Sequence, residues 1–211
     1  MSDIWASSVV TGTLTATEPT GTVKGDLLVA ICLHANSATA WTGPSGWTKI
    51  AEAPNIVTMA GAWYIVRGDA APDLTWSGPA AGNSRIVIAA INGYDSANIV
   101  DDFATATQSI GTTPTCPAGT SAVKGSIFLT GIAIDSGAAT VSGDPASYAA
   151  LQGTGTRQVD WVKKATAGTI SGETWTITFS AIASMITVVI GAKDTPPGLG
   201  PKPGMNVSML S

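Results

Sequence analysis

One pattern of strand-forming segments recurs at an interval of about 100 residues, and this repeat restricts the possible folds more than any other feature of the chain. Residues 23–33 (VKGDLLVAICL) are matched by residues 123–133 (VKGSIFLTGIA). Residues 84–91 (SRIVIAAI) are matched in the same way by residues 184–191 (SMITVVIG). A repeat of this length predicts that two similar β-rich halves make up the molecule.

We place the two halves at residues 1–95 and 101–194 of the 211-residue chain. Each half is expected to contain five short strands separated by turns rich in glycine and proline. Residues 97–106 are the only segment predicted to form a short helical turn. Because a sheet must cover its apolar face, two equivalent sheets predict one all-β, antiparallel, jelly-roll-like β-sandwich over residues 1–194. Two separate small barrels are the alternative.

Two pairs of tryptophans recur between the halves, which predicts that they have structural roles. Trp63 is matched by Trp161, and Trp76 is matched by Trp175. Their recurrence indicates shared geometry, so we expect these indoles to lie in the core.

Composition and charge argue against several classes of function. Charged residues make up only 11% of the chain, against roughly 25% in average soluble proteins, which suggests that part of the surface is covered by other protein. The net charge of −4 and the absence of a basic stripe argue against nucleic-acid binding. The sequence begins without the pattern of a secretory signal, and no apolar run approaches the ~18 residues of a membrane span. We therefore expect no membrane association and expect the protein to be made and folded in a cytosol.

The sequence offers little for catalysis, for a metal or for a cofactor, and we predict none of the three. His34 is the only histidine and ends an apolar strand, where a surface position is expected. No Gly-x-Ser-x-Gly motif supplies a nucleophile. Cys32 and Cys116 are too few for a disulfide framework, although one bridge between them stays open.

Two further groups of residues allow a binding function. Asp95, Asp101 and Asp102 cluster near the link between the halves, where a Ca²⁺ site or a glycosidase pair competes with a plain solvated turn. Trp41 and Trp47 flank a loop of glycine and proline, and they are our candidates for surface aromatic contacts with a sugar or with a partner protein.

The C-terminal segment, residues 195–211, differs in character from the rest of the chain. Residues 195–204 are rich in proline and glycine, which excludes a helix or a central strand there, and the segment ends in an apolar run. We predict an extended arm that docks on another chain. The candidate partner-binding residues are Pro196, Pro197, Pro201, Met205, Val207, Met209 and Leu210.

Four motifs in the first half resemble a group of structural proteins of tailed-phage virions. They are Gly-Asp-Leu-Leu-Val-Ala at 25–30, Pro-Ser-Gly-Trp at 44–47, the aromatic strand at 62–66 and Thr-Trp at 75–76. The resemblance extends over roughly residues 20–194 and implies all-β modules of capsid decoration, tail or fibre proteins without catalytic residues. The second half departs from it, since Ser126 and Tyr148 replace the aspartate and the turn tryptophan.

The resemblance implies a non-enzymatic virion protein, and we expect a capsid decoration (cement) protein. Its partners would be the major capsid protein or other virion subunits, bound through the sandwich and the arm. A homo-oligomer is expected, and capsid symmetry favours a trimer. The alternative is a carbohydrate-binding β-sandwich module of a tail fibre, collar or baseplate, because the same fold serves both functions.

Overall fold

The computed structural model describes residues 3–135 and 139–193. Fourteen strands and one 3₁₀ turn, Ala81–Asn83, occur in this part of the chain. The strands, in chain order, are β1 Asp3–Thr11, β2 Leu27–Ala35, β3 Thr48–Pro54, β4 Thr58–Val66, β5 Ser84–Asn92, β6 Val100–Gly111, β7 Gly119–Ser121, β8 Ile127–Ile134, β9 Val141–Gly143, β10 Ala149–Thr154, β11 Arg157–Lys163, β12 Gly168–Ile170, β13 Thr176–Ile177 and β14 Ala181–Ile190.

Ten of these strands form two five-stranded antiparallel sheets, and each sheet comes from one half of the chain. The first sheet has the order β1-β5-β2-β4-β3, and the second has the order β6-β14-β8-β11-β10. The two orders are the same when the strands are matched by their place in the repeat. The prediction of an all-β antiparallel sandwich with five strands in each sheet is confirmed.

The central strand β2 shows why the sheets pack as they do. Its residues are apolar at both odd and even positions, and all nine are buried. Leu27, Val29, Ile31 and Leu33 belong to the core between the two sheets, together with residues of β8 and β14. Leu28, Ala30 and Cys32 lie on the opposite face of β2, in a second apolar cluster. A strand apolar on both faces therefore has a second covering layer outside the sandwich.

Short segments of the same half provide that outer layer. In the first half, the Ala16 amide donates to the Leu74 carbonyl at 2.9 Å, and the Thr42 amide donates to the Ser77 carbonyl at 2.7 Å. In the second half, β12 pairs with β7 and β13 pairs with β9. Each half thus consists of one large sheet and a narrow outer layer of short strands or bridges.

The two large sheets pack face to face through their central strands. β2 lies against β8, and the edge strand β3 lies against the edge strand β6. On the opposite side, Lys163 of β11 reaches Asp3 of β1, with Nζ and Oδ2 3.5 Å apart. At the centre, a Cβ added to Gly131 would lie 2.7 Å from Cγ2 of Ile31. Glycine at this position is what lets the two central strands approach so closely.

Two local expectations are wrong. Residues 97–106 were expected to form a helical turn, but residues 100–111 form β6, because the edge of β14 offers a long ladder of backbone partners. His34 was expected at the surface, but it is only 2% exposed, because the outer layer covers the end of β2.

The recurring tryptophans are mostly in the core. Trp63, Trp76 and Trp175 are 2%, 1% and 0% exposed, respectively. Trp161 is half-buried and packs against the edge of the core between the sheets.

Replacing Trp63 by alanine should lower the free energy of unfolding by about 3–5 kcal/mol, because the indole is enclosed on all sides. A Cβ added to Gly43 would lie 2.6 Å from its ring, which shows how tightly it is packed. Trp161→Ala should cost less, and Trp5→Ala should cost least because Trp5 is 39% exposed. Urea unfolding of the three variants checks this order. A Trp63 variant as stable as the Trp5 variant would contradict the assignment.

Candidate interaction surface

The edges of the two sheets differ in how well they are protected from further strand pairing. Natural edge strands carry charges, prolines or bulges that prevent association with another chain. The edge strand β3 has all three: Lys49 and Glu52, Pro54, and a register shift between Lys49 and Ala51. The edge strand β10 has only six residues and a register shift after Ala150.

The edge strand β6 lacks these protections over most of its length. It has twelve residues, and from Phe103 to Gly111 it contains neither a charged residue nor a proline. Its register with β14 is regular from Asp102 to Gln108. In the part of the chain that the structure describes, no strand pairs with its other edge. β6 therefore presents a row of backbone groups that suits a strand of another chain.

Exposed apolar side chains accompany this open edge. Phe103 is 50% exposed and Ile110 is 74% exposed, both on β6. At the Ile110 end, the Asn55 side chain donates to the carbonyls of Gln108 and Ala183, at 3.2 and 3.1 Å. These bonds hold the β3–β4 turn beside β6, and that turn carries an isoleucine, Ile56, that is 80% exposed. Apolar side chains beside an open edge are typical of a protein-binding surface.

A groove with a volume of about 550 Å³ runs beside β6, between the two sheets. Its apolar wall includes Ile50, Tyr64 and Phe103, while Lys49 and Asn98 contribute polar groups. The opposite side of the sandwich has a smaller groove of about 290 Å³. That groove is lined by Ile4, Trp5, Ala6, Ser7, Leu151 and Trp161.

The three aspartates near the link between the halves act as backbone caps. The Ala97 amide donates to Oδ1 of Asp95 at 2.9 Å. Asp101 accepts from the Ala122 amide at 2.6 Å, and Asp102 accepts from the Thr120 amide at 2.8 Å. Within residues 3–135 and 139–193, no group of three or more acidic, cysteine or histidine side chains is placed to hold a metal ion. Asp101 and Asp102 thus fasten the start of β6 to β7 and to the residue after it, while Asp95 stabilises its own turn.

The interpretation of Trp41 and Trp47 as surface contact residues is wrong. They are only 3% and 9% exposed. Trp47 donates from Nε1 to the Asp73 carbonyl at 2.8 Å and packs edge-on against Trp76, with ring centroids 5.0 Å apart. The glycine and proline loop carries both indoles onto the outer face of the first sheet, where they complete its apolar cluster.

The lone histidine and the two cysteines are also structural. His34 is hydrogen-bonded through Nε2 to the Ala80 carbonyl at 2.8 Å, and burial lowers its pKa. Cys32 and Cys116 are free and buried, and burial raises the pKa of both thiols. Buried thiols with raised pKa values make poor nucleophiles.

The second half contains a buried polar group that the sequence did not indicate. Asp160 is fully buried under the outer layer and accepts hydrogen bonds from Nε2 of Gln158 and from Nε1 of Trp175, both at 2.6 Å. Burial raises the pKa of its carboxyl to about 6. The charge of Asp144 also raises this pKa, by less, whereas the two hydrogen bonds lower it. Polar residues stand before and after it in β11, at Gln158 and Lys163, so the sequence carried no signal that this carboxylate is buried.

The candidate partner-binding residues of the arm stand at the C-terminal end of the sequence. Residues 194–211 lie outside the described part of the chain, and Pro196, Pro197, Pro201, Met205, Val207, Met209 and Leu210 fall there. No helix in the described ranges is long and apolar enough to cross a bilayer.

The fold and surface define a two-sheet β-sandwich with an open strand edge, uncharged from Phe103 to Gly111, beside a groove. Neither a family model, nor a curated protein, nor a solved structure matches the chain.

Asp160 should make the protein less stable as the pH rises from about 4 to about 6. Its pKa is higher in the folded protein than in the unfolded chain, so the folded state holds the proton more tightly over this window. The free energy of unfolding falls by roughly 3 kcal/mol in total, because one pKa unit corresponds to about 1.4 kcal/mol. The fall is complete above pH 6. Asp160→Asn should remove this dependence.

Urea unfolding of both proteins between pH 4 and pH 8 measures the effect as a difference between the two curves. Asp69→Asn is the control, since the Asp69 side chain is 83% exposed. If the free energies of unfolding of the wild type and Asp160→Asn differed by the same amount at every pH in this range, Asp160 would not titrate as described.

Proposed function

We propose that this chain is a non-enzymatic structural protein of a phage virion, and specifically a decoration protein that binds capsid subunits. The observation that carries the proposal is the open edge of β6, which has no charge or proline from Phe103 to Gly111 and exposes apolar side chains. Such an edge is typical of a protein that forms a permanent complex and does not remain an isolated subunit. The virion assignment itself rests on the resemblance of the motifs in residues 20–194.

The described fold suits a rigid building block. Both faces of each large sheet are covered, one by the other large sheet and one by the short segments of the same half. Few charged residues leave a surface that costs little to desolvate. A partner that exists only in the assembled shell would gain stability from the protein by mass action.

The partner is proposed to be the major capsid protein or another virion subunit, with a homo-oligomer as the bound form. The arm, residues 195–211, would add its apolar residues to the contact made by the sandwich. We place the protein on the outside of the virion after synthesis in the host cytoplasm.

Immunogold labelling of purified virions tests the location. Antibodies against residues 3–193 should label the capsid shell of the phage that encodes the chain. Label confined to the tail or fibres would favour the alternative function instead. The proposal would be contradicted if the infected cells contained the protein but the intact virions purified from them carried no label.

The open edge can be tested with charged substitutions at exposed positions. Phe103→Lys and Ile110→Lys should weaken binding to capsid shells on the order of tenfold or more, because each places a charge in an apolar contact. Val23→Lys is the matched control, since Val23 is 61% exposed and lies in the loop before β2, outside β6. Co-sedimentation with shells measures binding, and circular dichroism verifies the fold. Equal binding by all three variants would exclude the β6 edge from the contact.

A carbohydrate-binding module of a tail fibre, collar or baseplate is the second candidate, and the groove beside β6 favours it. Aromatic rings next to amide and charged groups suit a sugar, and Tyr64, Phe103, Asn98 and Lys49 provide them. A glycan array probed with the wild type and with Tyr64→Ala separates the two candidates. Specific glycan binding by the wild type that is lost in Tyr64→Ala would support the sugar function. No glycan binding by the wild type would leave the decoration function.

A further inference from the structure

Two arginines from different sheets meet in the space between the sheets. Arg85 lies on β5 and alternates with Val87, and Arg157 lies on β11 and alternates with Val159; both valines belong to the inner core. Arg85 donates from Nη1 to the Arg157 carbonyl, and from Nε to Oγ1 of Thr11 at 3.2 Å. The two guanidinium groups are thus brought to one end of the inner core.

Arg157 has hydrogen-bonding capacity that the protein does not use. Its Nε and Nη1 are buried and contact no acceptor, and no ion pair involves Arg157 within the described ranges. A guanidinium group stays charged in a protein, so these buried donors carry a desolvation cost. The side chain as a whole is only half-buried, which leaves it open to solvent.

The electrostatic surroundings are positive. Burial lowers the pKa of both arginines, and the charge of Arg157 lowers that of Arg85 further. His34, on the other face of the first sheet, has a pKa lowered first by burial and also by the charge of Arg157. Like charges in a partly desolvated space repel each other unless an anion lies between them.

The corresponding place in the other half is neutral, which shows that the fold does not require the arginines. Ser184 pairs with Ala133 in the second sheet as Arg85 pairs with Leu33 in the first. There, Ser184 and Thr58 form a fully buried pair of hydroxyl groups 2.7 Å apart. By the same register Arg157, opposite Ala133, corresponds to Ala60, opposite Leu33, so neither arginine has a charged counterpart and the pair calls for a separate explanation.

We propose that Arg85 and Arg157 form a binding site for an oxyanion, either a carboxylate or a phosphate group. The oxyanion accepts the unused hydrogen bonds of Arg157 and neutralises the repulsion between the two guanidinium groups. Arginine suits this task because its planar group donates several hydrogen bonds to carboxylates and phosphates. The ligand is either an acidic group of a docked protein or a free phosphate, and the inference is independent of the virion assignment.

Thermal unfolding with inorganic phosphate and with glutarate tests the site. Against sodium chloride at equal ionic strength, the anion that fits should raise the Tm of the wild type by about 2–5 °C. A larger response to phosphate would identify a free phosphate, and a larger response to glutarate a protein carboxylate. Phosphate stabilises proteins in general, so the decisive quantity is the response of the wild type beyond that of Arg157→Gln.

Arg157→Gln removes one charge of the repelling pair, so it should fold well and lose the specific response. Arg67→Gln is the control, since Arg67 already pairs with Glu18 at 2.8 Å; this variant should keep the response. Calorimetric titration of the wild type with phosphate and glutarate gives a second measurement that needs no variant. Equal rises in Tm for the wild type and Arg157→Gln, or titrations without heat beyond dilution, would overturn the proposal.

Discussion

The packing of two apolar sheet faces is the interaction on which the rest of the molecule depends. Leu27, Val29, Ile31 and Leu33 of β2 meet their counterparts of the second sheet in one continuous core. Each residue buried there removes apolar surface from water, which stabilises the fold by roughly 25 cal/mol per Å². Among the described residues, the inner face of each large sheet is covered by the other large sheet, so the halves depend on each other.

The outer layers of the two halves cover their large sheets with different side-chain chemistry. In the first half, four tryptophans fill the space between the large sheet and the short segments that cover it. In the second half, a buried carboxyl, Asp160, bonds to the Trp175 indole and to Gln158 in the matching layer. An apolar layer is tolerant of pH, whereas a buried carboxyl links stability to protonation. The repeat therefore preserved the strand order and changed the chemistry of the covering layers.

The sequence predicted the architecture well because the repeat and the strand patterns are both encoded locally. The unbroken apolar run of β2 indicated a strand covered on both faces, and the structure agrees. Residues 97–106 were mistaken for a helical turn because their pairing with β14 joins segments some 80 residues apart in the chain. No local pattern reports a partner at that distance.

The surface was harder to predict, because exposure depends on which loops fold over which sheet. Trp41 and Trp47 stand in a loop of glycine and proline, where exposure is expected, yet that loop closes over the first sheet. The meeting of Arg85 with Arg157 is likewise invisible in the sequence, since the two arginines come from different sheets. Open edges are easier to recognise, because the absence of charge and proline in residues 103–111 is evident in the sequence once β6 is known to lie at an edge.

The matched strand orders have a consequence for how the molecule can diversify. Two identical subunits in a symmetric pair would present two identical flanks, and every mutation would appear on both. Joining the two sheets in one polypeptide releases them from that constraint. The grooves on the two flanks already differ, at about 550 and 290 Å³, and the arginine pair has no copy in the other half. The two flanks can therefore carry different binding chemistry within one polypeptide.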